Sequence, residues 1–275
     1  MIRDNFKIVM ADGATYDMAG DFAVLVRSFR ISSPIPNIYT ESFEGRNGLV
    51  RVGKDFGERS ITAVCSFFPV DDADVALLRD ELLRVLFTPD QFYVIQEAQP
   101  YKRWKVEVAS DFTPEVIGTY GEFTIDFVSA SSYAESVGTT LDPFTFDTDL
   151  WGAGMGLTSD DASYTHSTTS FAVYNASDVV INPREFPLKI TYRGASTNLT
   201  IRNETTGDEW KYTGTTGVGD RLEINGVRSL KNGVVSVFGN TNRKLITLKP
   251  GWNQFTVTGA EGAFSVEFDF RFYYL

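Results

Sequence analysis

The chain has 275 residues, of which 43% are hydrophobic and 22% are charged, and its formal net charge is −11. This length predicts about two domains with buried cores, and no apolar run approaches the ~18 residues that a membrane-spanning helix requires. Acidic residues outnumber basic ones in both halves, which argues against specific nucleic-acid binding because that depends on lysine and arginine side chains that neutralise phosphates.

The first residues, MIRDNFKIVMADG, predict synthesis in a cytoplasm. They carry charges at the start and lack a long apolar core followed by a small-residue cleavage site, so we expect no secretory signal and no membrane insertion. Cys65 is the sole cysteine and His166 the sole histidine. An internal disulfide and a multi-histidine metal site are therefore excluded, and we expect neither a metal nor a cofactor.

Residues 43–60, FEGRNGLVRVGKDFGERS, combine two strand-like runs with glycines and charged side chains. Asn47-Gly48 favours a tight two-residue turn, which predicts a β-hairpin. This hairpin has too little apolar surface to be stable alone. We therefore predict that residues 38–60 form an arm that pairs with or packs on an adjacent subunit, in a head-to-tail contact that closes into a ring when its rotation allows. The predicted interface residues are Phe43, Arg46, Asn47, Gly48, Arg51 and Lys54.

A single helix is predicted over residues 71–89, because apolar residues recur there at three- and four-residue spacing. Acidic residues crowd its start, where an N-cap and the positive end of the helix dipole favour them. Pro89 ends it. The predicted apolar stripe comprises Val75, Leu78, Leu82, Val85 and Leu86.

The other elements alternate with a period of two, which predicts half-buried strands. The alternation is clear at residues 104–108 and 123–127 and in the final FSVEFDFRF, residues 264–272. It fails over about 129–170, which is rich in serine, threonine, glycine and aspartate. We place a domain boundary there, and expect parts of the segment to pack against a domain. The side chains that indicate such packing are Phe144, Phe146, Trp151 and Met155.

The predicted fold is mainly β, in three parts. Residues 1–133 form an α+β domain with one helix and a β-hairpin arm, and residues 134–170 form a crossing segment. Residues 171–275 form an antiparallel β-sandwich, because turn sequences separate short strands at roughly eight- to twelve-residue intervals.

No catalytic motif is complete. Gly48, Gly53 and Lys54 match most of a phosphate-binding loop, but Asp55 replaces the serine or threonine that would hold magnesium. His166 lies in the polar SYTHSTTS without the glycines of a nucleophile elbow. Cys65 shares a strand face with apolar residues, so we predict a buried and inert thiol. We expect no enzymatic activity and no catalytic residues.

Four stretches occur in the order seen in distal tail proteins of long-tailed, non-contractile bacteriophages, which the chain resembles. They are TESFEGRNG, FGERSITAVCSF, LLRDELLRVLFTPDQFYV and KRWKVEV. The second half, from FAVYNASDVVINPREFPLKITYRG through LKPGWNQFTVTGAEG, is similar to the galectin-like C-terminal sandwich of these proteins.

The resemblance implies a structural role in the virion, at the tail tip. It implies a homo-hexameric ring that joins the tail tube protein to a tail-associated, lysin-like tip protein and to a receptor-binding protein. It implies no catalytic residues. One alternative is a carbohydrate-binding β-sandwich that recognises host cell-wall sugars, since Trp151, Trp210, Tyr212 and Trp252 could stack on a sugar ring. The other is an enzyme with a pair of carboxylates, which the many acidic residues allow.

Overall fold

The computed structural model describes residues 4–117, 119–145, 149–157 and 163–275 and shows a mainly β protein with antiparallel sheets. The predicted fold class is confirmed at this level. The chain divides into two units, one ending at Ala134 and the other comprising Glu135–Tyr274. No helix among the described residues is long and apolar enough to cross a membrane.

The first unit is built on one antiparallel sheet in the order β2-β1-β7-β8-β10-β6-β3, with β9 beside β10. Its strands are β1 (Phe6–Val9), β2 (Thr15–Asp17), β3 (Leu25–Ile31), β4 (Pro36–Glu41), β5 (Val50–Phe56), β6 (Arg59–Phe67), β7 (Phe92–Gln96), β8 (Lys102–Val108), β9 (Glu115–Ile117) and β10 (Tyr120–Ser129), and its helices are α1 (Met18–Phe22) and α2 (Asp72–Leu86). A short strand, β11 (Ala134–Ser136), follows.

The core of this unit follows from the two periodicities read in the sequence. Alternate residues of β6 and β10 are buried, including Cys65, and they form one apolar cluster with the buried stripe of α2. The Asp71 carboxylate caps α2 by accepting hydrogen bonds from the backbone N–H groups of Ala73 and Asp74, at 2.9 and 3.0 Å. The predicted helix is therefore confirmed, although it spans Asp72–Leu86 and ends before Pro89.

The prediction of a single helix is wrong, because the structure contains a second one, α1. Its N-cap, Asp17, accepts hydrogen bonds from the N–H groups of Ala19 and Gly20, and Ala23 ends it with a left-handed backbone, φ 53°. Five residues complete little more than one turn. Such a helix is too short to display the repeating apolar spacing that reveals a helix in a sequence.

The second unit is a β-sheet structure in which β14 and β20 are by far the longest strands. The sheet order is β12-β20-β14-β17-β18-β19, with β13 beside β20 and with β15 and β16 beside β14. The strands are β12 (Thr165–His166), β13 (Ser170–Asn175), β14 (Leu188–Asn203), β15 (Asp208–Lys211), β16 (Thr215–Thr216), β17 (Arg221–Asn225), β18 (Arg228–Lys231), β19 (Val235–Ser236), β20 (Gly251–Phe270) and β21 (Tyr273–Tyr274). A 3-10 helix spans Phe238–Asn240.

The predicted crossing segment, residues 134–170, lies almost entirely within the second unit. Trp151 and Met155 are buried there, and the ring of Phe144 lies 4.7 Å from that of Trp151, centre to centre. The segment thus contributes to the core, as its aromatic residues predict. Residues 146–148, which include Phe146, and residues 158–162 lie outside the described residues.

A candidate assembly arm

A hairpin of β4 and β5 stands apart from the main sheet of the first unit. Its register runs from Pro36 opposite Phe56 to Glu41 opposite Val50. Within the described parts of the chain, these two strands pair with each other and with no other strand. Each therefore has an unpaired outer edge, where backbone N–H and C=O groups are available to a partner. We call Pro36–Phe56 the arm.

The arm differs in two details from the hairpin predicted over residues 38–60. The chain does not reverse at Asn47-Gly48 in a two-residue turn, since pairing stops at Glu41 and Val50 and leaves an eight-residue connection, 42–49. Gly45 and Gly48 both have positive φ, 80° and 86°, so the chain turns in two steps. In addition, residues 59–60 belong to β6 of the main sheet.

Apolar side chains of the arm are open to solvent. Ile38, Val52 and Leu49 are 58%, 60% and 68% exposed, and Phe43 is also exposed. Apolar residues clustered on an element that buries none of them mark a contact surface. This supports the interpretation of the arm as an element that needs a partner.

The two faces of the arm carry opposite charges. Antiparallel pairing places opposed residues on the same face, and the register opposes Ile38 to Lys54 and Thr40 to Arg51. The Lys54 ammonium also lies 4.8 Å from the centre of the Phe56 ring. This face, which we call the cationic face, therefore combines two basic groups with apolar side chains.

The opposite face of the arm is polar and acidic. It carries Glu41, which is opposed to Val50, and Asp55, whose carboxylate accepts a 3.0 Å hydrogen bond from the Tyr39 hydroxyl. That bond raises the pKa of Tyr39. The sign of charge thus changes from one face to the other. A partner surface can distinguish between the two faces.

The base of the arm is anchored by hydrogen bonds. The backbone N–H of Gly57 donates to the carbonyl of Ile35 at 2.7 Å. The Ser132 hydroxyl lies 2.6 Å from the Gly57 carbonyl and 3.0 Å from that of Phe56. The buried Arg59 guanidinium donates hydrogen bonds to the backbone carbonyls of Ser32 and Ser132. The arm therefore leaves the sheet from a fixed base.

All six predicted interface residues are exposed. The structure places Phe43, Arg46, Asn47 and Gly48 in the connection 42–49, and Arg51 and Lys54 on the cationic face. Their role in an interface stays a prediction. Sequence reasoning missed Ile38 and the anchoring Arg59. The hairpin register would have indicated Ile38, because it is opposed to Lys54.

The other sites weighed in the sequence do not assemble into a catalytic centre among the described residues. His166 stacks on Phe171 at 4.1 Å between ring centres, and burial lowers its pKa. Gly53 and Lys54 lie within β5, which no helix follows. No group of three or more possible metal-ligating side chains is found in the described ranges.

The aromatic residues proposed to stack on sugar are mostly inaccessible. Trp151, Trp210 and Tyr212 are buried, whereas Trp252 is 47% exposed. The Trp252 ring lies 5.0 Å from that of Tyr174, centre to centre. Of that set Trp252 alone is exposed, and it lies beside the half-buried Tyr174.

Comparison with known proteins finds one family match within the first unit and one structure similar to the whole chain. Residues 20–129 match the family described as phage tail protein RIFT-related domain. The chain also matches the crystal structure of SPP1 Dit, described as a paradigm of the hub adsorption apparatus in phages that infect Gram-positive bacteria, with a TM-score of 0.71 and 15% identity over 97% of this chain and 99% of that one.

A chain of the phage P2 baseplate in its activated conformation with Ca has a TM-score of 0.48 and 14% identity, over 99% of this chain and 98% of that one, which is too low a score to support a conclusion. No curated protein sequence matches the chain. Residues 20–129 thus match the model of the phage tail protein RIFT-related domain, and the chain as a whole shares the fold of SPP1 Dit, which bears out its resemblance to distal tail proteins.

Proposed function

We propose that the protein is the structural hub of a phage tail tip and assembles as a homo-hexameric ring in the virion. The arm carries this proposal. It exposes apolar side chains and two unpaired strand edges, and hydrogen bonds of Arg59 and Ser132 anchor its base. A projection anchored in this way, reaching from each subunit to the next, makes a head-to-tail contact, and such contacts close into rings when the rotation allows.

The match to the phage tail domain and the fold shared with Dit support the role of hub. In this role one face of the ring contacts the tail tube protein, and the other contacts a tail-associated, lysin-like tip protein and a receptor-binding protein. The net charge of −11 suits a ring through which DNA passes without adhering. The role is non-enzymatic and requires no cofactor.

An armless variant tests the proposal. Residues 37–55 are replaced by Asn-Gly, which keeps Pro36 and Phe56 opposed and retains the hydrogen bonds at the base. We expect light scattering to give a mass six times that of one chain for the parent, with six-fold rings in micrographs, and the mass of one chain for the variant.

Far-UV circular dichroism serves as the folding control for the armless variant. An unchanged hexamer without the arm contradicts the proposed role of the arm. A parent that stays monomeric at high concentration, and that forms no ring in assembled tails, contradicts the hub itself.

Carbohydrate binding is the second candidate, and the exposed Trp252 beside Tyr174 is the observation that favours it. Exposed aromatic rings stack on the apolar faces of sugars. If this function holds, cell-wall polysaccharide binds saturably and Trp252→Ala removes the binding. Equal binding by parent and variant contradicts it.

A further inference from the structure

We infer that an acidic groove on the first unit receives the cationic face of the arm from a second copy of the chain. This inference rests on the proposed ring and adds to it the surface that the arm contacts. It follows from a second exposed apolar region in the same unit, whose charge is opposite to that of the cationic face.

The groove lies between α1, the end of β6 and α2. It is an open cavity of about 330 Å³. The side chains that give it its character are Asp21, Ala23, Phe68, Asp74, Leu77 and Glu81. Its size is sufficient for a few side chains of a docked strand.

The floor of the groove is apolar and uncovered. Phe68 is 69% exposed and Leu77 is 63% exposed. Leu77 lies on α2 outside the stripe that the helix buries against its own core, and Phe68 directly follows β6. These side chains contribute little to the core of their own unit, so burial beneath a partner would remove their apolar surface from water.

Acidic groups line the same cavity, and no lysine or arginine among the described residues does. Backbone N–H groups hold two of the carboxylates in place, since Asp21 accepts from Asp17 at 2.7 Å and Asp74 accepts from Val70 at 2.9 Å. Glu81 is exposed on the next turns of α2. The groove is therefore an apolar surface with fixed negative charge.

The cationic face of the arm complements this surface in both respects. It presents Lys54 and Arg51 together with Ile38, whereas the opposite face presents Glu41 and Asp55. Docking by the cationic face brings unlike charges together over apolar contacts, and docking by the other face opposes like charges. The charges thus select both the surface and the orientation of the arm.

Charge reversal on each side, alone and combined, tests the inference. Glu81→Lys and Lys54→Glu each place like charges in the contact, so each raises the dissociation concentration of the ring at least about tenfold, and the double variant restores it toward the parent value. Glu107→Lys, at an exposed position of β8 outside the arm and the groove, is the matched control that leaves it unchanged.

The outcomes separate this inference from the proposed ring. If the single reversals change nothing while the armless variant dissociates, the arm builds the ring but contacts another surface, and the groove assignment is overturned. If the singles weaken assembly and the double does not restore it, the pairing is overturned. If the armless variant stays hexameric, the proposed role of the arm is contradicted, and with it the groove assignment that rests on that role. Where a charge reversal lowers the melting temperature of the subunit, Leu77→Ser is used in its place. This variant should also raise the dissociation concentration of the ring, and an unchanged dissociation concentration would overturn the groove assignment.

Discussion

Arg59 donates a 2.6 Å hydrogen bond from its guanidinium to the backbone carbonyl of Ser32, which ties the strand after the arm to the segment before it. Its Nε donates to the carbonyl of Ser132 at 3.2 Å, and the guanidinium lies 5.0 Å from the Trp104 ring. The residue is only 6% exposed, and this burial lowers its pKa. A planar donor with fixed N–H directions suits two carbonyls and a ring at once.

Arg59→Leu is expected to lower the free energy of unfolding by about 1–3 kcal/mol, because it removes the donor to the buried carbonyl of Ser132 and to the partly buried carbonyl of Ser32. Arg59→Lys is expected to recover only part of this, since an ammonium cannot reproduce the fork. Urea denaturation at fixed protein concentration provides the measurement.

Arg27→Leu is the matched control for Arg59. It removes an exposed ion pair to Glu122, 2.7 Å long, and we expect a loss of under about 1 kcal/mol. Equal effects at the two arginines would show that the hydrogen bonds to the carbonyls of Ser32 and Ser132 are not the source of the stability that Arg59 provides.

Gly121→Ala is expected to destabilise the first unit by about 1–3 kcal/mol through overpacking. Gly121 is opposed to Phe67 across β10 and β6, and a Cβ there would lie 2.1 Å from the Phe67 ring. Its cost is steric, since its φ is not positive. Thermal unfolding measures the change, and Phe67→Leu in the same chain should restore part of it.

Gly219→Ala is the control for this prediction, because a Cβ there meets nothing within 4 Å and φ is again not positive. It should leave the melting temperature nearly unchanged. A similar loss at both glycines would contradict the steric explanation and point to a general backbone effect.

How much of this structure the sequence predicts depends on how far apart the interacting residues lie along the chain. The helix α2 is predictable from the sequence because its apolar spacing and its Asp71 cap lie within one continuous stretch. The arm is predictable in place, but its eight-residue connection is not, because glycines at both 45 and 48 allow alternatives to one tight turn.

The remaining features join distant segments and have no local signal. Arg59 at the start of a strand reads as an ordinary exposed charge until Ser132, 73 residues away, is brought beside it. The acidic groove likewise needs α1, which the sequence conceals, together with β6 and α2. Residue types alone do not indicate such a surface.

Cys65 is expected to be inert to thiol reagents while the protein is folded. It is fully buried, and burial raises its pKa to about 12, so the thiolate is scarce near pH 8. Maleimide labelling followed by mass spectrometry should show no adduct in native buffer and full modification in urea. Rapid labelling of the native chain would contradict the burial.

Asp220, in the second unit, is expected to make stability depend on pH in the acidic range. Its Oδ1 accepts from the Asn232 amide at 2.9 Å, and its Oδ2 accepts from the Lys231 ammonium at 2.8 Å and from the Gly217 N–H at 2.9 Å. These bonds, that from Asn232 foremost, hold the pKa of Asp220 well below its usual range. The folded state therefore favours the ionised carboxylate.

The sign of the pH effect follows from linkage. Because the pKa is lower in the folded state, the contribution of Asp220 is complete above the unfolded value of about 3.9 and is lost as pH falls through the folded value. Asp220→Asn should thus melt at a lower temperature than the parent at pH 7, and the difference should shrink toward pH 2.5. Asp111→Asn removes one negative charge from an exposed position of the first unit and serves as the control. If the difference in melting temperature between parent and Asp220→Asn stays constant from pH 7 to pH 2.5, the charge of the Asp220 carboxylate is not the source of the stability.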